Sequence, residues 1–357
     1  MDVQVILKEY KGRFDVELAK YLDRVIAEAR EKDVFVAEAL EYIKTFSLAG
    51  GKRLRSTLMY FGYVAAGGAE KEKMIRAALS VELIHVFLLI HDDIIDHDEM
   101  RHGVDTVHRK YQKMGNKLFT EKEGDHFGNS LAIIMGDMVH ALGNQVLFES
   151  DFDPALILKT LSKMQSIVAL TVIGQTKDVY IEYAQVATEE EILRMYEYKT
   201  ARYTMEGPLH LGATLAGADE ALLVGLSAYA IPIGIAFQIQ DDILGIFGSE
   251  EKLGKPVGSD IIEGKWTLLV CHAMQKLVKE DKEELAMLLR KGEALTAEDQ
   301  IRFQYFIRES GALQYAQDLA KRYISEGRKA VLELEGMQEE SREFLISIAD
   351  YMIRRDS

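Results

Sequence analysis

The residues from His85 to Gly103 read H-V-F-L-L-I-H-D-D-I-I-D-H-D-E-M-R-H-G, and they constrain the chain more than any other stretch. An apolar run without proline or glycine leads into Asp92, Asp93 and Asp96. The spacing predicts a helix that carries Asp92 and Asp96 on one face, at i and i+4. His85, seven residues before Asp92, falls on that face too. Like charges so placed destabilise a bare helix, and hard divalent cations with oxygen ligands are the usual compensation. Arg101 follows about a turn later. A fixed cation beside a metal-binding carboxylate face suggests a phosphate-bearing substrate held through metal. Taken alone, the run also fits a solvated acidic helix end.

A second run has the same form. Residues 221–240 are apolar and close in Q-I-Q-D-D-I-L-G, from Gln238 to Gly245. Gln238, Asp241 and Asp242 stand at i, i+3 and i+4, on neighbouring faces. Two helices that each end in paired aspartates are expected to face each other across a cavity, with carboxylates at the mouth and apolar residues in the depth. That shape suits an amphiphile with a charged head and a hydrocarbon tail.

The remaining composition permits this. A chain of 357 residues has room for one large domain or two, 48% hydrophobic residues supply a sizeable core, and only 4 prolines leave long helices uninterrupted. A net charge of −15 argues against nucleic acid or an anionic membrane as the main partner. One cysteine, Cys271, rules out an internal disulfide. The first ten residues have neither the basic region nor the apolar core of a signal peptide. The apolar runs read as too short to span a bilayer, so the cytoplasm is the expected location.

Periodicity predicts a helix over 2–32, with Val5, Tyr10, Phe14, Leu18, Leu22 and Ile26 inward, then helices over 34–47, 52–66 and 70–96. Residues 103–128, polar and punctuated by glycine, read as an extended loop with room for a short helix. Helices follow over 129–149, over 154–183 with Pro154 in the first turn, and over 188–203 behind a capping box at Thr188 and Glu191. Gly207-Pro208 reads as a break or kink, Pro232 as a bend, and 245–264 as a loop. Five more helices complete the chain, over 266–278, 282–290, 297–310, 313–334 and 339–354. No segment alternates with period two and no linker marks a boundary. The fold class is therefore all-α, in a single domain over 1–357.

Three basic clusters complete the chemistry. Gly50-Gly51-Lys52-Arg53-Leu54-Arg55 makes a tight turn into a helix start, which favours an anion. Lys52 and Arg55 share a face there, Arg55 able to grip phosphate in bidentate fashion and Lys52 acting as a point charge. Arg101-His102-Gly103 trails the first aspartates. Gly254-Lys255-Pro256 and Glu263-Gly264-Lys265 flank Asp260 after the second. Lys199-Thr200 ends a helix. Gln175 and Asp178 interrupt an apolar helix, which fits a structural network as well as support for a metal.

Together these stretches resemble the trans-type polyprenyl diphosphate synthases, the family of the farnesyl and geranylgeranyl diphosphate synthases. The resemblance runs from Leu40 to Leu269. It rests on G-G-K-R-L-R-S, H-D-D-I-I-D-H-D-E-M-R-H-G, G-Q-T-K-D, Y-K-T, F-Q-I-Q-D-D-I-L-G and G-K-P-V-G-S-D-I-I-E-G-K-W-T, in that order. It implies a single large helical bundle of the isoprenoid synthase type around a deep central cavity, a homodimer, and three magnesium ions. By the same resemblance, Asp92 and Asp96 hold two ions with Asp93 in support, and Asp241 holds the third with Asp242 near it. Arg101, Lys199 and Lys255 bind the allylic diphosphate with Gln238 beside them. Lys52, Arg55, His85 and His102 belong to the isopentenyl diphosphate site, and Thr200 and Lys265 assist near the reacting centre.

The sequence departs from the family pattern in four places. His102 replaces an arginine, which is expected to weaken one diphosphate contact and make it sensitive to pH between about 6 and 8. Gly245 stands where many members have a third aspartate, for which Asp260 is a partial substitute. Ser56 replaces a proline, with little effect expected. Residues 111–128 are long and charged, which suggests a lid or a partner surface. Other classes fit less of the chain. A metal phosphohydrolase built on His91-Asp92 leaves the second aspartate site and the basic turn unexplained. A non-catalytic regulatory subunit is expected to lose ligands that are present here. A terpene cyclase has no use for Lys52 and Arg55. Product length is expected to be set one turn below Asp92. The helical wheel puts Leu88 and Ile84 there and swings Phe87 aside. In the family, an aromatic residue at the position of Phe87 goes with short products, here geranylgeranyl diphosphate first and farnesyl diphosphate second, with a longer polyprenyl diphosphate as the further alternative.

Overall fold

Helix caps set most of the element boundaries in the computed structural model, which describes residues 2–248 and 258–354. Asp2 and Asp33 accept the amides of Gln4 and Val36 and so open α1 (Val3–Arg30) and α2 (Val34–Leu48). The inner stripe of α1 is Val3, Leu7, Tyr10, Phe14, Leu18, Leu22 and Ile26. Val5 is 61% exposed, because Leu7 takes the place expected of it. Helix α3 (Leu54–Ala65) is buried along nearly its whole length. The run over 70–96 is two helices, α4 (Lys71–Ala77) and α5 (Leu79–Ile95), meeting at Ala78.

Beyond α5 comes a small hairpin, β1 (Met100–Arg101) against β2 (Val104–Asp105), antiparallel with Arg101 opposite Val104. Its turn residues His102 and Gly103 have φ of 51° and 80°, the positive values that tight hairpin turns require at both central positions. Strands of two residues are too short to leave an alternating pattern.

The extended loop expected over 103–128 is instead a helical hairpin, α6 (Val107–Gly115) and α7 (Glu121–Phe148). Its glycines are contact points rather than breakers. A Cβ on Gly115 would lie 2.8 Å from the Cα of Gly124, and one on Gly128 would lie 2.6 Å from the carbonyl of His108. The two helices therefore approach backbone to backbone, with Thr120 and Glu123 forming a capping box between them.

Helix α8 (Pro154–Ala184) is followed by α9 (Glu189–Tyr196), behind the expected capping box of Thr188 and Glu191. A π-helix (Glu197–Glu206) then runs directly into α10 (Gly207–Leu215). Gly207-Pro208, expected as a break or kink, interrupts no helix but marks where the π register gives way to the α register. The Gly207 amide still bonds five residues back, to Arg202, and Pro208 has no amide to leave unbonded where the register changes. Helix α11 (Glu220–Phe247) contains Pro232 and carries on past Gly245. Then come α12 (Ser259–Ile262), α13 (Leu268–Lys276), α14 (Lys279–Leu289), α15 (Ala297–Glu309), α16 (Ala312–Glu333) and α17 (Glu339–Arg354). Of the loop expected over 245–264, residues 245–247 belong to α11 and 259–262 to α12, while 249–257 lie outside the described residues.

The chain packs as two compact units, one of Asp2–Leu161 with Leu211–Gly217 and the other of Ser162–His210 with the chain from Ala218 onward. The N-terminal unit is centred on Phe14, Leu18, Leu40, Ile43, Leu58 and Tyr60, all at most 1% exposed. Each such side chain contributes about 1.5–3 kcal/mol through burial. In the C-terminal unit, α11 packs on α16 and the π-helix. Buried Tyr229 donates a hydrogen bond to the carbonyl of Leu345 at 2.8 Å.

The expectation that no apolar run is long enough for a bilayer needs correction. Residues 71–95 and helices α7, α8 and α11 each have the length and apolar composition to cross a membrane. Occasional polar residues interrupt the runs without lowering their mean hydropathy enough to matter. In 71–95 and α11 most of the apolar window is buried within the protein, 67% and 56%, which is the behaviour of helices in a protein core.

Candidate functional site

In the N-terminal unit the basic turn is built by backbone that few residues adopt. Gly51 has φ 89° and Arg53 has φ 52° at the start of α3. Lys52 is exposed, while Arg55 Nη1 lies 3.0 Å from His85 Nε2 on α5. An arginine can only donate, so Nε2 of His85 is the acceptor and the ring is neutral. Burial, and then the Arg55 guanidinium, hold the His85 pKa well below the usual imidazole value. Ser56, expected to matter little, has a defined role. Its amide (3.3 Å) and its hydroxyl both donate to the buried carboxylate of Glu82, and a proline there would lack that amide.

Helix α5 divides its aspartates between two faces. Asp92 and Asp96 are half-buried at its end. Asp93, one residue and about 100° further round, is fully buried and accepts Arg101 Nε at 2.7 Å. Arg101 also donates to Asp98 at 3.0 Å. Burial outweighs the neighbouring guanidinium and pushes the Asp93 carboxyl up to about 6. The hairpin brings His102 against the basic turn, where a Cβ on Gly50 would fall 2.3 Å from the imidazole. Burial, then Arg101, Arg53 and Lys11, lower the His102 pKa.

Below Asp92, Phe87 lies between two imidazoles, with ring centroids 4.9 Å from both His91 on its own helix and His140 on α7. Leu88 is half-buried and Ile84 is buried. His91 sits 3.1 Å from the carbonyl of Ile133 and packs where a Cβ on Gly136 would be. It faces α7, so the arrangement gives no support to a phosphohydrolase centre at His91-Asp92.

In the C-terminal unit a chain of hydrogen bonds joins three of the expected residues and their neighbours. Thr200 donates to Gln238 Oε1 at 2.6 Å, and Gln238 donates to Asp242 Oδ1 at 2.8 Å. The other Asp242 oxygen accepts the hydroxyl of buried Tyr196, which itself accepts the Leu268 amide at 2.9 Å. Burial, then the Asp260 and Asp241 charges, push the Asp242 carboxyl well above its usual value. Lys199 pairs with Asp178. Asp241 is exposed. At Gly245 a Cβ would fall 2.1 Å from Asp260 Oδ2, so the Asp260 carboxylate occupies the space of the missing side chain. Lys265 pairs with Glu263 and lies 3.8 Å from Asp260. Lys255, with Gly254 and Pro256, lies outside the described residues.

Several residues that shape this unit went unnoticed in the sequence. A Cβ on Gly174 would sit 2.4 Å from the Lys199 amide, and one on Gly234 would sit 2.4 Å from the Ala201 Cα. The two glycines let α8 and α11 close on the π-helix that carries Lys199 and Thr200. A glycine inside an apolar helix run is the signal that marks such an approach. Tyr196 left no comparable trace.

Among the described residues no three histidine, cysteine or acidic side chains converge on a metal position. Magnesium is commonly held by one or two carboxylates together with water and substrate phosphate. The half-buried pair Asp92 and Asp96, and exposed Asp241 with Asp260 nearby, offer that kind of oxygen donor.

A helical fold that carries two aspartate motifs and a basic turn has the features of an isoprenoid synthase. The polyprenyl synthetase family model matches residues 35–305. Geranylgeranyl diphosphate synthase of Methanosarcina mazei is 34% identical over the whole of both chains. That of Saccharolobus solfataricus is 35% identical over 86% of this chain and 87% of its own. The crystal structure of the Corynebacterium glutamicum geranylgeranyl pyrophosphate synthase with isoprenyl diphosphate and magnesium superposes with a TM-score of 0.90. It is 31% identical, over 98% of this chain and 99% of that one. The chain belongs to the polyprenyl synthetase family and is a prenyltransferase, a trans-prenyl diphosphate synthase of isoprenoid biosynthesis.

Proposed function

We propose that this enzyme condenses isopentenyl diphosphate head to tail with an allylic diphosphate and releases geranylgeranyl diphosphate, with farnesyl diphosphate as the second reading. The observation that carries the condensation is the pairing of Arg55 with His85 on the helix that ends in Asp92 and Asp96. A basic site joined through His85 to the helix that carries the carboxylates suits two diphosphate substrates, whereas a cyclase needs only one. Asp92, Asp96 and Asp241 would hold three magnesium ions. When bound, magnesium neutralises the departing pyrophosphate so that the allylic C–O bond can break. Asp93 and Asp242 support from within, Asp93 by fixing Arg101 and Asp242 by fixing Gln238 and, through it, Thr200. Arg101, Lys199 and Lys255 are the cations for the allylic diphosphate. Lys52, Arg55, His85 and His102 receive isopentenyl diphosphate, whose double bond attacks the allylic carbon, with Lys265 assisting nearby. The released pyrophosphate takes the proton that is lost.

Phe87, wedged by His91 and His140, is the proposed end stop for the growing chain, with Leu88 and Ile84 beside it. Residues 1–357 act as one catalytic domain, since the family match runs through both units. The exposed apolar residues Ile133 and Ile134 of α7 are the surface proposed for a homodimer. A cytoplasmic location belongs to the same reading. Incubation with magnesium, isopentenyl diphosphate and C5, C10 or C15 allylic starters tests the function. A C20 diphosphate is expected as the main product from each, and absence of any elongated product would overturn the reading.

A further inference from the structure

Arg53 stands in the middle of the basic turn, yet its guanidinium is engaged elsewhere. The residue is 6% exposed and left-handed. Its Nε donates to Asp15 of α1 at 2.7 Å, its Nη1 to Glu82 of α5 at 3.1 Å, and its Nη2 to the carbonyl of Ser47. Burial works against its charge, but the carboxylates of Glu82 and Asp15 prevail and raise its pKa. Glu82 in turn holds Ser56 through amide and hydroxyl. One helical turn further along α5, His85 meets Arg55. Consecutive turns of α5 thus hold the turn from inside and line it from outside.

Left-handed backbone is unfavourable for a residue with a Cβ, so the conformation at Arg53 must be held by what the side chain reaches. A buried guanidinium with a carboxylate on either side is such a hold, because loss of either partner leaves a charge uncompensated. We propose that Arg53 is the positioning residue of the isopentenyl diphosphate site. Clamped by Asp15 and Glu82, it fixes the turn that presents Lys52 and Arg55 and makes affinity for this substrate depend on the N-terminal helix. This rests on the reading of Lys52 and Arg55 as isopentenyl diphosphate contacts.

Two variants test it. Asp15→Asn keeps the shape of a half-buried partner and removes its charge. Arg53→Lys keeps the charge but is a point donor facing three acceptors. The expected result for Asp15→Asn is a KM for isopentenyl diphosphate raised about tenfold, the scale of one charge-assisted hydrogen bond. Its kcat and allylic KM should stay within about twofold of wild type. Arg53→Lys should show a larger rise in the same constant. Calorimetric binding of isopentenyl diphosphate without magnesium should weaken in parallel, a readout that needs no turnover. If wild type binds isopentenyl diphosphate and Asp15→Asn binds it equally well, the inference is overturned while the functional reading stands. A fall in melting temperature with both KM values unchanged would likewise reduce Arg53 to a fold residue. Failure of wild type to bind isopentenyl diphosphate would remove both.

Discussion

His102 occupies the left-handed first position of the β1–β2 turn, beside Gly50 of the basic turn. Histidine tolerates such backbone better than most residues, which gives the exchange from arginine a physical setting. Its pKa is lowered by burial and by surrounding cations, so in the free enzyme it gains a proton only as the pH falls below the ordinary 6.5. The pH window expected between 6 and 8 therefore moves down. KM for isopentenyl diphosphate in wild type should improve below about 6.5, while His102→Arg should give a lower and flatter KM across the range. Identical profiles would place His102 outside the site. Phe87 is the other residue that admits a direct test. Phe87→Ala removes the ring held between His91 and His140, and the main product should lengthen by at least one isoprene unit, read by chromatography of the dephosphorylated products. An unchanged distribution would assign the end stop to other side chains. At this scale the motif residues were legible because charge at i and i+4 is a one-dimensional pattern. The burial of Asp93 and Asp242, each three residues after a buried isoleucine, Ile90 and Ile239, was not among the expectations. Nor was the engagement of Arg53 with Asp15, since nothing local links residues 38 apart in sequence.

Helix positions came through wherever an apolar stripe met a recognisable cap, as at Thr188 and Glu191. They failed where glycine served contact instead of turning. Gly115, Gly124 and Gly128 read as loop punctuation, yet they are where α6 and α7 touch. The sequence carries no mark that separates these two uses, because the difference lies in the partner helix. The π-helix was invisible for a related reason: its register follows from packing between Gly174 and Gly234, not from the ten residues themselves. Gly174→Val should therefore push on the Lys199 backbone. The expected cost is about 1–3 kcal/mol of stability, as for overpacking a tight contact, together with a raised KM for the allylic substrate. Urea denaturation and steady-state kinetics read the two effects. Wild-type values in both would mean that the π-helix is held by other contacts.

For the whole molecule, the all-α class followed from the periodicity and the scarcity of proline, while the division into two compact units left no composition shift to read. The exposed apolar positions on α7 were also hidden within an ordinary helical pattern. Ile134, 58% exposed beside Ile133, is suited to cover by a second copy of the chain. Light scattering should give twice the chain mass for wild type and the single-chain mass for Ile134→Glu, and equal masses would move the interface elsewhere. The central claim is that the two aspartate motifs serve one magnesium-dependent ionisation. It is tested most directly by the turnover of Asp241→Ala beside Asp92→Ala in saturating magnesium, with both substrates supplied. Each single change is expected to remove nearly all product formation although the other motif is intact. Near-normal turnover from either variant would contradict the claim.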